Sequence, residues 1–211
     1  ELEAHGGQLL ALHEVVAFER VPDRWRVEVR HQGEVQSVRC GVVINAAGLD
    51  SDRVAARAGM DVDAAGYRIH PCKGDYFSLA PSAPIELNRL VYPVPAEAGL
   101  GIHATLDLAG RIRFGPDAEY VEELDFEVDA RKVDVFTEAI QRYLPRVQPE
   151  WLSPDYAGIR PKLARPGEAF RDFVVVEESE NGLPGLINCV GIESPGLTAA
   201  LAIGEYTLSL V

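Results

Sequence analysis

An arginine directly before a proline, in an otherwise apolar strand, is the residue of this sequence best suited to hold a small anion. Arg160 follows Ala157, Gly158 and Ile159 and precedes Pro161. A residue before proline is pushed toward extended backbone, which fixes the aim of its side chain. A guanidinium offers a planar fork that matches a carboxylate bidentately. The alternative for Arg160 is a structural ion pair with one of the 33 acidic residues of the chain. His103 lies in Gly101-Ile102-His103-Ala104-Thr105, an apolar, small-residue setting. An imidazole there can take the proton of a substrate hydroxyl, or can be a hydrogen-bonded core residue. His70, beside Pro71 and Cys72, is the rival base. His5, His13 and His31 fall at the terminus, a strand edge and a turn. Lys73 and Tyr92 are candidate second contacts to a carboxylate or hydroxyl, with a surface lysine and an aromatic core residue as their alternatives.

The charge balance sharpens this choice. With 20 Lys and Arg against 33 Asp and Glu, the net charge is −13. That disfavours nucleic acid as a partner and makes any anionic ligand depend on a local cation. Lys73, Arg160 and Lys162 sit in suitable strands, whereas Arg20, Arg24, Arg26 and Arg30 belong to a half-polar strand and read as a solvated face. Hydrolase and metalloenzyme chemistry lack support: there is no Ser-His-Asp ordering, no His-x-x-x-His and no paired-Cys motif. Three widely spaced cysteines, Cys40, Cys72 and Cys189, point to buried thiols and a reducing compartment rather than a disulfide framework. At 47% hydrophobic and 25% charged, the composition is that of an ordinary globular chain.

A second stretch suits a cofactor. Val42, Val43 and Ile44 form an apolar run expected as a strand buried on both faces. Ala46, Ala47 and Gly48 then clear bulky side chains from the following turn, so that a ligand can approach the backbone. Asp50 or Ser51 can cap a helix running to about Ala58 and stopping at Gly59. Strand, small-residue turn and helix N-terminus together can receive an anion, although an ordinary strand-to-helix turn has the same look.

The remaining elements supply the frame. Gln8 to Arg20, the Trp25-Val27-Val29 alternation and Glu34 to Cys40 are expected as an antiparallel meander with turns at Pro22-Asp23 and His31-Gln32-Gly33. Short strands are expected at Tyr67 to Leu79, Arg89 to Val94, Leu100 to Thr105 and Arg111 to Phe114. The acidic run Asp117 to Glu127 reads as a solvated loop. Asp129 can cap a helix whose stripe is Val133, Phe136, Ile140 and Tyr143 or Leu144, ended by Pro145. Further strands are expected at Asp155 to Arg160, Phe173 to Glu177 and Leu186 to Val190. A last helix is expected from Pro195 or Gly196 to the end.

Several motifs in order carry a resemblance. Val43-Ile44-Asn45-Ala46-Ala47-Gly48-Leu49-Asp50-Ser51, Pro71-Cys72-Lys73-Gly74-Asp75-Tyr76-Phe77, Leu90-Val91-Tyr92-Pro93-Val94-Pro95, Gly101-Ile102-His103, Ala157-Gly158-Ile159-Arg160-Pro161-Lys162 and Gly191-Ile192-Glu193-Ser194-Pro195-Gly196-Leu197-Thr198 together span nearly the whole chain. The set resembles the FAD-dependent oxidoreductases of the D-amino acid oxidase and glycine oxidase superfamily, most of all the L-2-hydroxyglutarate dehydrogenase/oxidase branch. The family's opening Gly-x-Gly-x-x-Gly turn, which holds the FAD pyrophosphate, has no counterpart here. The resemblance therefore implies a C-terminal portion that by itself binds FAD weakly or not at all, for want of an N-terminal FAD-binding segment.

The resemblance implies an α/β protein whose substrate part is α+β. Residues 1–60 and 186–211 would form a partial FAD-binding domain with the small meander, and 61–185 a mixed antiparallel sheet covered by helices. FAD is the implied cofactor. Val15 occupies the place where main-chain groups meet adenine, with a plain core valine as the alternative. Ala46, Ala47, Gly48, Gly191, Glu193, Ser194, Gly196, Leu197 and Thr198 are the other implied flavin contacts. Pro195 suits a first helical position, whose positive end would stabilise charge on a reduced flavin. Glu193 either accepts hydrogen bonds there or faces solvent. Arg160 matches the substrate-carboxylate arginine. The expected reaction is oxidation of a small anionic 2-hydroxy acid, L-2-hydroxyglutarate-like, by hydride transfer to FAD with His103 as base. The alternatives are glycine oxidase-type oxidation of an amino acid or amine, and a non-catalytic fragment. A cytoplasmic protein is expected, with a peripheral place at the membrane, and an electron acceptor there, left open.

Overall fold

A computed structural model describes residues 2–94 and 101–211. The chain divides into two units, Glu1–Ile69 with Ala169–Val211, and His70–Glu168. The expected borders were 60/61 and 185/186; Ile69 N bonds Asp52 within the first unit, and the strand after Ala169 also pairs there.

The first unit opens with the meander Glu14–Val21 (β1), Arg24–His31 (β2) and Glu34–Cys40 (β3), antiparallel in the order β1-β2-β3. Gln32 (φ 50°) and Gly33 (φ 86°) supply the two left-handed residues that a tight hairpin needs. Trp25 and Val27 point inward while Arg24, Glu28 and Arg30 are exposed, the alternation expected of one wet face. The Trp25 indole donates to Pro184 O at 3.1 Å, tying the meander to the rest of its unit. The first strand is shorter than expected. Leu12 adopts φ 61° in a turn and the His13 ring pairs with Ala11 O, and Leu9, Leu10 and Leu12 lie exposed ahead of the strand.

Val43–Asn45 (β4) leads through a 3-10 turn at Gly48–Asp50 into Ser51–Arg57 (α1). The helix ends two residues before Gly59, at φ 105°. No side chain caps it, contrary to the expectation for Asp50 or Ser51, because the 3-10 turn occupies that place. Nor is β4 buried on both faces. It lies at one end of its three-stranded sheet, and Ile44 is 51% exposed.

The second unit is built on His70–Leu79 (β5). His103–Leu106 (β6), Ile112–Gly115 (β7), Glu119–Tyr120 (β8), Val133–Gln141 (α2) and Leu152–Lys162 (β9) complete it. β9 runs antiparallel along one edge of β5, from Leu79↔Leu152 to His70↔Lys162. The other edge is shared: β7 pairs at Phe77 and Ser78, β8 at Cys72 and Lys73. The β7–β8 connection therefore passes along β5 at Gly74 and Asp75. Arg89 to Val94 is not a strand; it contributes the single bridge Val91↔Ala104. Leu100 and Pro95 lie outside the described residues.

Alternation gives the sheet two distinct faces. Phe77, Leu79, Ala104, Ile112, Phe114 and Leu152 join Phe136 and Ile140 of α2 in the core. The helix arises as its 3.6-residue stripe requires, after a 3-10 turn at Ala130–Lys132 where Asp129 accepts from Arg131 N at 3.0 Å. It ends at Gln141, before Pro145. The opposite face of the sheet carries Cys72, Gly74, Tyr76, His103 and Arg160.

The chain then returns to the first unit with Val174–Glu177 (β10), Leu186–Val190 (β11) and Ala200–Ser209 (α3). β11 pairs antiparallel with β10 and parallel with β4, Asn188 opposite Asn45. The last helix starts several residues later than expected. Gly196 N bonds Glu193 O, and the Thr198 hydroxyl takes Pro195 O at 2.9 Å, giving turns in place of a first helical turn. No helix among the described residues is long and apolar enough to cross a membrane.

Candidate active site

Arg160 stands opposite Cys72 across the β5–β9 ladder. Its Nε donates to Cys72 O at 3.3 Å, and its Nη2 to Lys73 O at 3.1 Å and Asp117 O at 2.7 Å, with Cys72 Sγ at 3.7 Å. Among the described residues these partners are main-chain carbonyls and a thiol, not carboxylates. The charge is thus aimed by neutral dipoles and not cancelled by an anion among the described residues, and the structural ion pair considered above is not found there. The fork differs from expectation in one respect. Nε and Nη2 are spent on the protein, and Nη1 takes part in none of these bonds, so a carboxylate would be met at Nη1.

The glycine beneath makes this possible. A Cβ at Gly74 would lie 3.1 Å from Arg160 Nη2, 3.1 Å from Asp117 O and 2.6 Å from Pro116 Cβ. Next along the same face, Tyr76 stacks on Tyr156, centroids 4.5 Å apart and planes 10° from parallel. Burial and then Tyr156 push the Tyr76 phenol up to about 12, against the pull of Arg160. At neutral pH it is an un-ionised hydroxyl able to donate a hydrogen bond. Arg113 lies over the outer Tyr156 ring at 5.5 Å but is paired with Asp155 and Asp107. Tyr76 and Tyr156 were not singled out from sequence. The trace they leave is a polar residue alternating with core residues in a glycine-containing strand.

His103 and Tyr92 come together, ring centroids 4.4 Å apart and tilted by 58°. His103 is buried and Tyr92 is more than half exposed, so Tyr92 is not an aromatic core residue. By strand alternation His103, His70 and Arg160 share one face of the sheet, with His70 opposite Lys162. Lys73 does not join them. Its side chain points to the α2 side, is 5% exposed, and its ammonium donates to Glu127 O beside Asp75 and Asp125. It is neither the surface lysine nor, in this arrangement, a substrate contact. A concavity of about 640 Å³ elsewhere in this unit, lined by Ile85, Leu87, Arg89, Val91 and Ile112, contains none of these residues.

The acidic run is the main departure from expectation. Lys132 Nζ bonds Asp75 Oδ2 at 2.7 Å, Asp117 Oδ2 at 2.8 Å and Glu119 Oε2 at 2.7 Å. Burial pulls the Lys132 ammonium toward neutrality, but the three carboxylates outweigh it and hold its pKa above the ordinary lysine value. Asp117 Oδ1 also accepts from Asp75 N at 2.7 Å. Residues 117–125 are partly a clamp and a short strand, not a wholly solvated loop.

The cofactor candidates belong to the other unit. Because β4 and β11 are parallel neighbours, the turn Ala46–Gly48 and the loop Gly191–Thr198 leave the same, carboxyl end of the sheet, where open α/β sheets bind ligands. The two strand ends are fastened below that rim. Asn45 Nδ2 donates to Asn188 Oδ1 and to Ser51 O at 2.8 Å each, and Asn188 Nδ2 to the fully buried Glu178 at 2.8 Å. Ala46, Ala47 and Gly48 are exposed, and a Cβ at Gly48 would meet nothing within 4 Å. Gly48 (φ 59°) and Gly191 (φ 72°) are left-handed. Ser51 Oγ is buried with no partner among the described residues. Small side chains, open space and an orphaned hydroxyl fit a flat, polar-edged group such as FAD. Glu193 is half-buried, Ser194 and Thr198 are exposed, Gly196 is buried and Leu197 is 92% exposed. Val15 is half-buried in β1, and its carbonyl accepts from Arg57 Nη1 at 3.0 Å. That main-chain acceptor is already engaged. Cys72 and Cys189 are buried and Cys40 half-buried, all as free thiols.

The sequence profile of the DAO family, described as FAD dependent oxidoreductase, matches residues 1–210. The mitochondrial L-2-hydroxyglutarate dehydrogenase of Arabidopsis thaliana is 41% identical over 180 residues, 78% of this chain and 36% of that protein. The L-2-hydroxyglutarate dehydrogenase of Escherichia coli K12 is 26% identical, over 99% of this chain and 56% of its own length. This chain thus spans about a third to just over half of these relatives. Among solved structures, the FAD-bound L-alpha-glycerophosphate oxidase of Mycoplasma pneumoniae superposes with a TM-score of 0.76 at 22% identity, covering 94% of this chain and 50% of that one. The fold is therefore shared with that FAD-bound structure. The chain belongs to the FAD-dependent oxidoreductases of the DAO family.

Proposed function

We propose that the protein containing this chain oxidises a small 2-hydroxy acid to the 2-oxo acid, with L-2-hydroxyglutarate as substrate. The observation that carries this reading is Arg160: a cation aimed by three carbonyls, unmatched by a carboxylate among the described residues, beside a stacked tyrosine pair. Relatives named L-2-hydroxyglutarate dehydrogenase support the choice of substrate. FAD, when bound, supplies the acceptor for the hydride that leaves Cα. On this reading Arg160 Nη1 binds the carboxylate next to Cα, and the Tyr76 hydroxyl donates to the same group. His103 takes the proton from the substrate hydroxyl oxygen as the carbonyl forms. Ala46–Gly48 and Gly191–Thr198 bear on the cofactor, whose pyrophosphate is held elsewhere in the protein.

The test is anaerobic bleaching of the flavin in the full-length protein. L-2-Hydroxyglutarate is expected to reduce it rapidly, while glycine and other small amines leave it oxidised. Bleaching by amines alone would move the protein to the amine-oxidising branch of the family.

Gly74→Ala is expected to weaken binding of the same substrate. The new methyl group cannot coexist with Pro116 and Arg160 as they stand. Such overpacking costs about 1–3 kcal/mol, here through displaced neighbours. Substrate titration monitored by the flavin spectrum reads this directly. Unchanged affinity would mean that Arg160 is not set by its contact with the strand.

A further inference from the structure

Arg160 can serve a substrate only if its guanidinium is held where the carboxylate arrives, and the shortest of its bonds, 2.7 Å, goes to the main chain of Asp117. That residue belongs to neither β5 nor β9. It sits in the connection between β7 and β8, which has no ladder of its own at that point. Its side chain fixes it instead. One carboxylate oxygen accepts from Asp75 N at 2.7 Å, along the edge of β5. The other accepts from Lys132 at 2.8 Å, just ahead of α2. Lys132 is anchored in turn by Asp75, whose carboxylate is fully buried, and by Glu119. Asp117 therefore straddles the strand edge. Its carboxylate is gripped from the helix side of the sheet, and its carbonyl is presented to the arginine on the other.

We propose that Asp117, clamped by Lys132 and Asp75, is the positioning residue that aims Arg160 at the substrate carboxylate. The proposal rests on the reading of Arg160 given above. It accounts for three carboxylates gathered around one lysine in a region where solvated acids would serve equally well for solubility. It also accounts for a glycine at position 74, since a side chain there would collide with Pro116, the neighbour of Asp117. Charged and hydrogen-bonded groups that share one network are energetically coupled, and a double-mutant cycle measures that coupling.

The experiment uses full-length, FAD-loaded protein and L-2-hydroxyglutarate. Asp117→Ala should raise the substrate Kd about tenfold or more, with flavin content and the limiting reduction rate changed far less. Asp117→Asn keeps an acceptor for Asp75 N but presents a donor to Lys132, and should recover only part of the affinity. Placed on an Arg160→Ala background, Asp117→Ala should add less than about twofold, because there is no guanidinium left to misaim. A role in folding alone would lower stability equally on both backgrounds and would leave the wild-type Kd in place among folded molecules. Lys132→Met provides the same comparison should Asp117→Ala fold poorly. Its expected effect is about threefold or more on Kd, again absent without Arg160. Wild-type affinity in Asp117→Ala and Lys132→Met, or losses that multiply fully with that of Arg160→Ala, would overturn the positioning role while leaving Arg160 as the carboxylate ligand. Wild-type affinity in Arg160→Ala itself would overturn both.

Discussion

Arg160→Ala is expected to cost about 2–5 kcal/mol of substrate binding, the range for removing one partner of a desolvated charge pair. This corresponds to a Kd raised about 30- to 4,000-fold. The chain carries a net charge of −13, so a carboxylate substrate is repelled by the average surface and must be held by a local cation. Lys73 and Lys132 are tied to Asp75 and its neighbours, and Arg113 to Asp155 and Asp107. Arg160 alone of these four is bonded to carbonyls rather than carboxylates. Arg160→Lys should lose about tenfold or more even though the charge remains. An ammonium cannot span Cys72 O, Lys73 O and Asp117 O and still extend a nitrogen to the ligand. Anaerobic titration of the flavin spectrum gives Kd, and stopped-flow reduction gives the rate at saturation. The rate should fall as well, since a substrate that is not gripped presents Cα poorly. A wild-type Kd in Arg160→Ala, or a loss explained entirely by lost FAD, would make Arg160 structural.

What could be read in advance, and what could not, follows from the range of the signals. The α2 stripe of Val133, Phe136 and Ile140 is a local period, and it predicts both the helix and its buried face. The Trp25–Val27 alternation does the same for the meander. The strand setting of Arg160 was legible because a following proline and small apolar neighbours are local too. Asp117 was not. An acidic run looks solvated whichever of its members meets a lysine from another element, and here the meeting is decided by β7 and β8 sharing one edge of β5. Tyr76 and Tyr156 stack across strands 80 positions apart, and no spacing announces that. Lys73 failed in the converse way. Its neighbours Cys72 and Gly74 lie on the face that carries Arg160, but a strand alternates, so the residue after Cys72 must face the opposite side.

The same alternation bears on the catalytic base. His103 and His70 both fall on the face of the sheet that carries Arg160, so two imidazoles compete for one role. His103 is the better placed. Its ring is buried against Tyr92, which fixes its direction. His103→Gln should therefore lower the limiting rate of flavin reduction by L-2-hydroxyglutarate about 100-fold or more. Glutamine keeps a hydrogen-bonding side chain of similar reach but cannot carry the substrate proton away. The effect should differ in kind from that of Arg160→Ala: the rate at saturation collapses while Kd moves only slightly, because the hydroxyl proton is transferred in the transition state and not on binding. Tyr92→Phe is the control for packing. It removes the phenol but keeps the ring against His103, and should retain most of the rate. His70→Gln should retain it too. If His103→Gln reduces flavin at the wild-type rate while His70→Gln does not, the proton leaves through His70. If neither matters, the hydroxyl proton is lost without a protein base.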